Sequence, residues 1–161
     1  MTLATPASPR NQAWRQTHMG YLMGRALLRF DARVLALMAD NVEVPLGLSN
    51  LAARGQVGAA HIHITRHLAL EGSRLTDLAT SAAMTKQAMV KLVDQCEAWG
   101  LVTRTPDPRD ARAKRVTFSA TGLIWLKAFE DAVAQAEDEL RQAVGLQVAT
   151  VMSIGLEAYA A

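Results

Sequence analysis

The sequence predicts a mainly α-helical protein with one small β-hairpin. Three observations predict this class. Two short helix signals joined by a tight turn occupy residues 74–100, and a basic, β-prone segment follows at residues 101–118. Apolar residues also recur at helical spacing on both sides of this region. Hydrophobic residues make up 50% of the 161-residue chain, which is enough for a substantial core and argues against disorder.

The two short helices are delimited by capping residues. Thr76 is expected to N-cap a first helix over Asp77–Ala83. Thr85 is expected to N-cap a second helix over Lys86–Trp99, which Gly100 ends. The second helix has an inward apolar face at helical spacing, formed by Met89, Leu92, Val93 and Cys96.

Polar side chains lie largely off that apolar face, namely Lys86, Gln87 and Lys91. A glutamine suits adenine, and a lysine suits guanine or phosphate. A helix that carries amides and cations, as the second of two tightly joined helices, is what a DNA-reading helix-turn-helix requires. We therefore expect these residues to contact DNA, together with the capping Thr85, which can also meet a phosphate. The alternative is an ordinary solvated helix face.

A basic hairpin follows the second helix. Leu101–Thr105 and Val116–Phe118 are β-prone, and a turn is expected between them at Pro106, Asp107, Pro108, Asp110 and Ala111. Four cations lie in the same segment: Arg109, Arg112, Lys114 and Arg115. A basic hairpin directly after a recognition helix is a wing, whose cations reach phosphates or the minor groove. The fold expected for this part of the chain is thus a winged helix-turn-helix.

The stretch LTDLATSAAMTKQAMVKLVDQCEAWGLVTRTPDPRDARAKRVTFSATG resembles the DNA-binding lobe of the MarR family of regulators. The resemblance rests on the L-x-x-L-A helix, the M-T-K start, the L-V-D-x-x-E-x-x-G-L-V exit and the D-P-R-D-x-R wing, in order and at family spacing. It implies a homodimeric, bacterial, cytoplasmic DNA-binding regulator, most often a repressor, that acts on a pseudo-palindromic operator.

The resemblance also implies roles for individual residues. Arg112 aligns with the wing-tip arginine that enters the minor groove, and Asp110 aligns with the acid that supports the wing. Arg109 and Lys114 are expected to track phosphates, and Arg115 to pair with an acid below the wing. Arg74, just before the first helix of the pair, is expected to clamp the DNA backbone.

Long helices flank this lobe. We expect a helix over Trp14–Ala39 with two apolar or aromatic stripes, a loop over Asn41–Ala53 and a helix over Val57–Leu70. After the wing, Ser119 or Thr121 is expected to begin a helix that reaches Val144. Its stripe is Leu126, Phe129, Val133, Ala136, Leu140 and Val144. A last helix is expected over Gln147–Tyr159, with an apolar side formed by Val148, Val151, Met152 and Leu156. More apolar surface than one core needs indicates a second subunit.

The organisation expected is a disordered lead-in at residues 1–12 and an N-terminal dimerisation helix and loop at 13–56. The winged lobe would span residues 57–120, and the C-terminal dimerisation helices residues 121–161. Basic residues exceed acidic ones in residues 74–115, whereas acids exceed bases in residues 116–161. This asymmetry suits a protein that presents one end to a polyanion. The sequence predicts neither a membrane span nor a signal peptide.

One face of the first predicted helix carries a candidate effector site. Trp14, His18, Tyr21 and Arg25 share one helix face and, with His63, form a candidate pocket for a small aromatic or phenolic effector. The competing interpretation is dimer packing.

A metal-responsive or redox-responsive regulator of the same fold is an alternative, because His63 and His67 share a helix face and the chain has one cysteine, Cys96. We expect no bound metal and no cofactor, since two histidines lack a third ligand and the thiol lies on an inward face. A ligand-binding dimer without DNA binding is a further alternative, which the basic wing disfavours. An enzyme is disfavoured by the lack of a phosphate loop, a nucleophile elbow or a paired-carboxylate site.

Overall fold

The computed structural model describes residues 10–44, 58–108 and 110–161. These residues form seven helices and one three-stranded antiparallel sheet. The helices are α1 (Arg10–Thr17), α2 (Met19–Ala39), α3 (Ala59–His67), α4 (Leu75–Ser81), α5 (Lys86–Ala98), α6 (Ala120–Val144) and α7 (Leu146–Ala160). The strands are β1 (Ser73–Arg74), β2 (Val102–Asp107) and β3 (Asp110–Phe118), in the sheet order β1-β3-β2. The predicted fold class, mainly α with a small β-hairpin wing, is confirmed.

Capping residues delimit α5 and the start of α6 as the sequence predicts. The Thr85 hydroxyl accepts a hydrogen bond from the Ala88 N–H at 3.2 Å and so caps α5. Gly100 follows α5 with a φ of 73°, the left-handed conformation that ends a helix at low cost for glycine. Ser119 caps α6 by accepting from the Gly122 N–H at 2.9 Å, which resolves the choice between Ser119 and Thr121.

The predicted start of α4 at Thr76 is wrong. The helix begins at Leu75, directly after Arg74, which has no side-chain capping bond. The reason is strand β1, where Ser73 pairs with Val116 and Arg74 with Arg115. Because this pairing holds the backbone extended up to Arg74, the helix begins at the next residue and Thr76 lies inside its first turn.

The predicted helix over Trp14–Ala39 is two helices, broken at His18. His18 adopts an extended conformation, and its Nδ1 accepts from the Tyr21 N–H at 3.2 Å, which caps α2. Histidine is an uncommon N-cap, and the apolar periodicity continues across His18. The sequence therefore carries no clear signal of this break. The start of α1 at Arg10 makes residues 10–12 helical and not part of a disordered lead-in.

Two other predicted boundaries shift. Helix α3 spans Ala59–His67, shorter than the predicted Val57–Leu70, because the backbone turns extended at Leu68. Residues 45–53 of the predicted loop lie outside the described residues. The wing strands extend further into the predicted turn, with Asp107 opposite Asp110 after a register irregularity at Pro106. Pro106 is tolerated there because β2 lies at the sheet edge.

The core lies where α5 meets the other helices and the sheet. The predicted inward face of α5 is confirmed, since Met89 and Val93 are fully buried. On α6 the predicted stripe is wrong in part. Its deepest residues are Trp125, Ala128, Ala132 and Ala136, whereas the predicted Leu140 and Val144 are exposed. The small alanines bring α6 close to its neighbours, a packing preference that apolar periodicity alone does not reveal.

No single helix among the described residues is long and apolar enough to cross a membrane. Helices α6 and α7 meet that criterion only as a pair, which is bent by 119°.

Among the described glycines, Gly122 leaves the least room for a side chain. A Cβ at Gly122 would overlap the carbonyl oxygen of Leu101, because α6 begins against the end of the wing. We expect Gly122→Ala to lower the free energy of unfolding by about 1–3 kcal/mol, as over-packed core sites do. The control is Gly24→Ala in α2, where nothing lies within 4 Å. That change should be neutral or stabilising by about 0.5–1 kcal/mol. Equal melting temperatures for the two variants would contradict this packing.

Cys96 is 1% exposed, and burial raises the pKa of its thiol to about 12. The thiolate is the reactive form, so the folded protein should react very slowly with a thiol reagent at pH 8. The same protein unfolded in guanidinium should react at the rate of a free cysteine. Labelling kinetics in both states test this, and fast labelling of the folded protein would revive a redox role.

Candidate nucleic-acid interface

The helix-turn-helix is formed by α4, a tight turn and α5. The turn contains Ala83, which has a φ of 50°, an uncommon conformation for a residue other than glycine. The Met84 N–H donates to the Ala79 carbonyl at 2.9 Å, which closes the turn. Leu78 and Ala79 of α4 are buried. The pair is therefore locked by packing and turn geometry, and α5 can project from it rigidly.

The predicted DNA-reading residues lie on the outer side of α5. Lys86, Gln87 and Lys91 are all exposed, as is the capping Thr85. Gln87 and Lys91 stand opposite the buried face, whereas Lys86 lies at its margin in the first turn. The structure therefore brings together an amide and two cations at the solvent side of one helix. Their contact with DNA stays a prediction.

The flank of α5 that faces the wing carries two acids, and both are bound by one arginine. Arg104 of β2 forms ion pairs with Asp94 and Glu97 of α5. This pairing offsets two negative charges that would otherwise oppose a polyanion. Sequence analysis missed Arg104, although two acids three residues apart, followed by a cation in the next strand, were a usable signal.

The wing is braced from within by a buried acid. The Asp107 side chain is 3% exposed, and its Oδ2 accepts from Nε of Arg74 at 2.6 Å. This hydrogen bond raises the pKa of Arg74, and the charges of Asp107, Asp110 and Asp77 add to the effect. Asp110, the predicted wing acid, is exposed at the start of β3. Sequence analysis treated Asp107 as a turn residue, so its buried role was missed.

Arg74 itself was predicted to clamp the DNA backbone. Its guanidinium joins the start of α4 to the wing through Asp107, while its side chain remains 42% exposed. Arg74 therefore has a structural role that the sequence did not indicate. Its contact with phosphate stays a prediction.

The wing cations divide into three cases. Lys114 is exposed on β3 opposite Pro106. Arg115 is half-buried and donates to the Gly72 carbonyl, so the prediction that it pairs with an acid is wrong. The carbonyl lies closer because β1 pairs with β3 at this point. Arg109 and the side chain of Arg112 lie outside the described residues, and their DNA roles stay predictions.

The candidate effector residues lie at the junction of α1 and α2. The rings of Trp14 and His18 have centroids 5.8 Å apart, and those of His18 and Tyr21 lie 6.2 Å apart. Trp14, His18 and Arg25 are exposed, and the side chain of His63 lies outside the described residues. The aromatic groups therefore form a row on an open surface.

A groove of about 480 Å³ lies elsewhere, between α3 and α6. It is lined by Thr65, Arg66, Leu126, Phe129, Glu130 and Val133. The groove combines an apolar and aromatic wall with the acid Glu130 and with Arg66, whose guanidinium is paired with Asp31, and such a groove can hold a small amphipathic ligand. Sequence analysis missed this groove, because α3 and α6 are distant in the chain.

Metal ligation finds no support within the described residues. No group of three histidine, cysteine or acidic side chains there is arranged to hold an ion. Of the predicted histidine pair, His67 is half-buried, and the side chain of His63 is not described.

Comparison with known proteins agrees with this geometry. The sequence profile of the MarR family matches residues 56–113. No curated protein sequence matches the chain at a significant level.

Three solved structures illustrate the likeness in fold. The transcriptional repressor CouR bound to a 23-mer DNA duplex has a TM-score of 0.66 and 22% identity, over 93% of this chain and 97% of CouR. CouR from Rhodococcus jostii RHA1 bound to p-coumaroyl-CoA has a TM-score of 0.66 and 20% identity, over 90% and 93% of the two chains. MarR from E. coli, in its apo form, has a TM-score of 0.65 and 17% identity, over 88% and 96%.

The profile match covers the helix-turn-helix and most of the wing, and the fold likeness extends over the flanking helices as well. The chain therefore has the winged-helix fold of solved MarR-family transcriptional regulators, and its residues 56–113 match the profile of that family.

Proposed function

We propose that this protein is a sequence-specific transcriptional regulator that binds double-stranded DNA as a homodimer. The observation that carries the proposal is the exposed row of Lys86, Gln87 and Lys91 on a helix whose opposite face is buried. A glutamine amide can pair with adenine in the major groove, and the lysines suit guanine or phosphate. CouR, which has the same fold, has been captured on a DNA duplex.

The wing supplies the second set of contacts in this proposal. Lys114 is exposed and would meet a phosphate, as Arg109 would. Arg112 would enter the minor groove at the wing tip. Asp110 would support the wing through its charge beside Arg74.

A second copy of the chain would complete the helical lobe, which consists of α1, α2, α6 and α7. Helix α7 exposes nearly its whole apolar surface, including Val151 at 70% and Ile154 at 61%. Leu27 and Leu28 of α2 are also exposed. Apolar surface of this extent marks an interface. A two-fold dimer would place two recognition helices about 34 Å apart, one turn of DNA, and so read a pseudo-palindromic operator.

The regulator is proposed to be a repressor released by a small aromatic or phenolic effector. CouR has been captured with p-coumaroyl-CoA, a phenolic thioester. Two regions can receive such a ligand: the groove beside Arg66, and the row of Trp14, His18 and Tyr21 with Arg25 and His63. Release requires the effector to bind the released form more tightly than the DNA-bound form.

The proposed mechanism needs no cofactor, metal or catalytic step. Its partner would be genomic DNA, and its action would be cytoplasmic, as the resemblance to a family of bacterial regulators implies. Buried Cys96 gives no support to a redox variant of this proposal.

The DNA interface can be tested by fluorescence anisotropy on duplexes selected from a random pool. We expect Gln87→Ala and Arg112→Ala to weaken operator binding by about 1–3 kcal/mol and to relax base preference, because both are proposed to read the grooves. Lys114→Ala should weaken binding to all sequences and reduce the salt slope by about 1, because it meets phosphate.

Lys127→Ala is the matched control for these variants. This lysine lies on α6 and is already paired with Glu130 and Asp131, so its removal should leave DNA binding unchanged. Failure of the selection to enrich any sequence, or equal affinity in all four variants, would count against the proposed function.

The dimer interface can be tested by sedimentation. The wild type should sediment at twice the 17.4 kDa of one chain. Val151→Glu should yield monomers and abolish specific DNA binding, because it introduces two charges into an apolar contact. The control is Ser153→Glu, on the side of α7 that carries Thr150 and Glu157. A Val151→Glu variant that stays dimeric would show that α7 is not the interface.

A further inference from the structure

Helix α3 lies between the recognition helix and the helical lobe, and His61 near its N-terminus makes three contacts. Its Nδ1 accepts from the Gly58 N–H at 3.0 Å. An amide N–H can only donate, so Nδ1 is unprotonated and the ring proton is on Nε2. Nε2 lies 2.8 Å from Oε1 of Gln95 and donates to it. The ring also lies 4.7 Å from that of Trp99, centroid to centroid.

The C-terminal half of α3 is joined to both long helices. Arg66 donates to Asp31 of α2 at 2.5 Å, and the Asp31 residue is 5% exposed. The Thr65 hydroxyl accepts from the Trp125 indole N–H of α6 at 3.1 Å in the core. Thr65 and Arg66 also line the groove between α3 and α6. One nine-residue helix is thus hydrogen-bonded to the helical lobe at one end and to the recognition helix at the other.

The recognition helix is held along both sides of its buried face. Arg104 holds Asp94 and Glu97 on the wing side, and His61 holds Gln95 and contacts Trp99 on the α3 side. Apolar packing sets which face of α5 points inward, and small rotations about the helix axis remain possible. Directional hydrogen bonds on the two flanks restrict that rotation. The rotation decides which side chains point at base edges.

We propose that His61 is a positioning residue for DNA reading. It sets the rotation of α5 through Gln95, and it makes α3 the element through which displacement of α2 or α6 reaches the recognition helix. This inference rests on the proposed function. It extends that function by naming the contact through which the helical lobe regulates the DNA-reading surface.

Two substitutions separate positioning from simple stabilisation. His61→Asn keeps an acceptor for the Gly58 N–H but is too short to reach Gln95. His61→Gln can reach Gln95 with its amide N–H but gives up the acceptor next to the backbone. Both variants lose the imidazole ring that contacts Trp99. A difference between the two variants therefore cannot come from the loss of that ring contact.

The measurements are operator affinity, affinity for a non-specific duplex, and thermal unfolding. We expect His61→Asn to weaken operator binding about tenfold while non-specific binding stays unchanged, because phosphate contacts do not depend on base register. His61→Gln should bind the operator like the wild type, even though its melting temperature falls. Gln95→Leu should match His61→Asn, and the double variant His61→Asn/Gln95→Leu should be no weaker than either single variant.

Two results would overturn the proposal. One is that affinity follows melting temperature across the variants, with His61→Gln the weaker binder, which would give His61 a purely structural role. The other is that the effects of His61→Asn and Gln95→Leu multiply, which would show that the two residues act independently.

Amide hydrogen exchange separates this proposal from the proposed function. The proposal expects His61→Asn to speed exchange within residues 86–98 and not within residues 120–144, whether or not DNA binds. Faster exchange there in His61→Asn, together with a wild-type protein that selects no DNA, would refute the proposed function but keep the α3 contact. Unchanged exchange in a protein that does select DNA would refute the positioning role alone.

Discussion

Burial of one face of α5 is the constraint on which the rest of the structure depends. Met89 and Val93 are fully buried, and Leu92 and Cys96 lie beside them. These side chains belong to one cluster with Leu78 of α4, Val116 of β3 and Trp125 of α6. Because the same helix presents the proposed reading surface, the hydrophobic effect that forms the core also aims that surface at solvent.

Polar contacts fix the position of the wing relative to α4 and α5, which apolar packing alone does not fix. The wing is tied to the start of α4 by Arg74 and Asp107, and to α5 by Arg104. The buried Asp107 is satisfied by a cation, as a buried carboxylate must be. Removing one partner of such a pair destabilises a protein by more than forming the pair stabilises it. These contacts therefore fix the relative positions of the wing, α4 and α5 more than they stabilise the fold. The wing and the recognition helix therefore behave as one rigid unit.

The winged lobe and the helical lobe differ in how completely they bury their apolar side chains. Most large apolar side chains of the winged lobe are buried or half-buried, whereas α7 and parts of α2 leave large apolar side chains in contact with solvent. Ion pairs on α6, such as Arg33 with Glu139, are exposed and contribute little stability. The helical lobe is therefore the part of the chain whose core a second copy would complete in the proposed dimer. Any regulation that acts by shifting one protomer against the other would begin there and reach α5 across α3.

The sequence by itself determined the features that depend on neighbouring residues. Thr85 and Ser119 cap their helices, Gly100 ends α5, and the apolar stripe of α5 faces the core, because capping and periodicity act within a few residues. The exposed position of Lys86, Gln87 and Lys91 follows from that same periodicity.

Only the tertiary structure decided the features that depend on distant partners. Strand β1 overrode Thr76 as a cap, because Ser73 and Arg74 pair with residues more than 40 positions away. The burial of Asp107 depends on Arg74, and the role of His61 depends on Gln95. The inward side of α6 was set by how closely its alanines approach the neighbouring helices. Such contacts carry no local signal, since the residues that form them become neighbours only when the chain has folded.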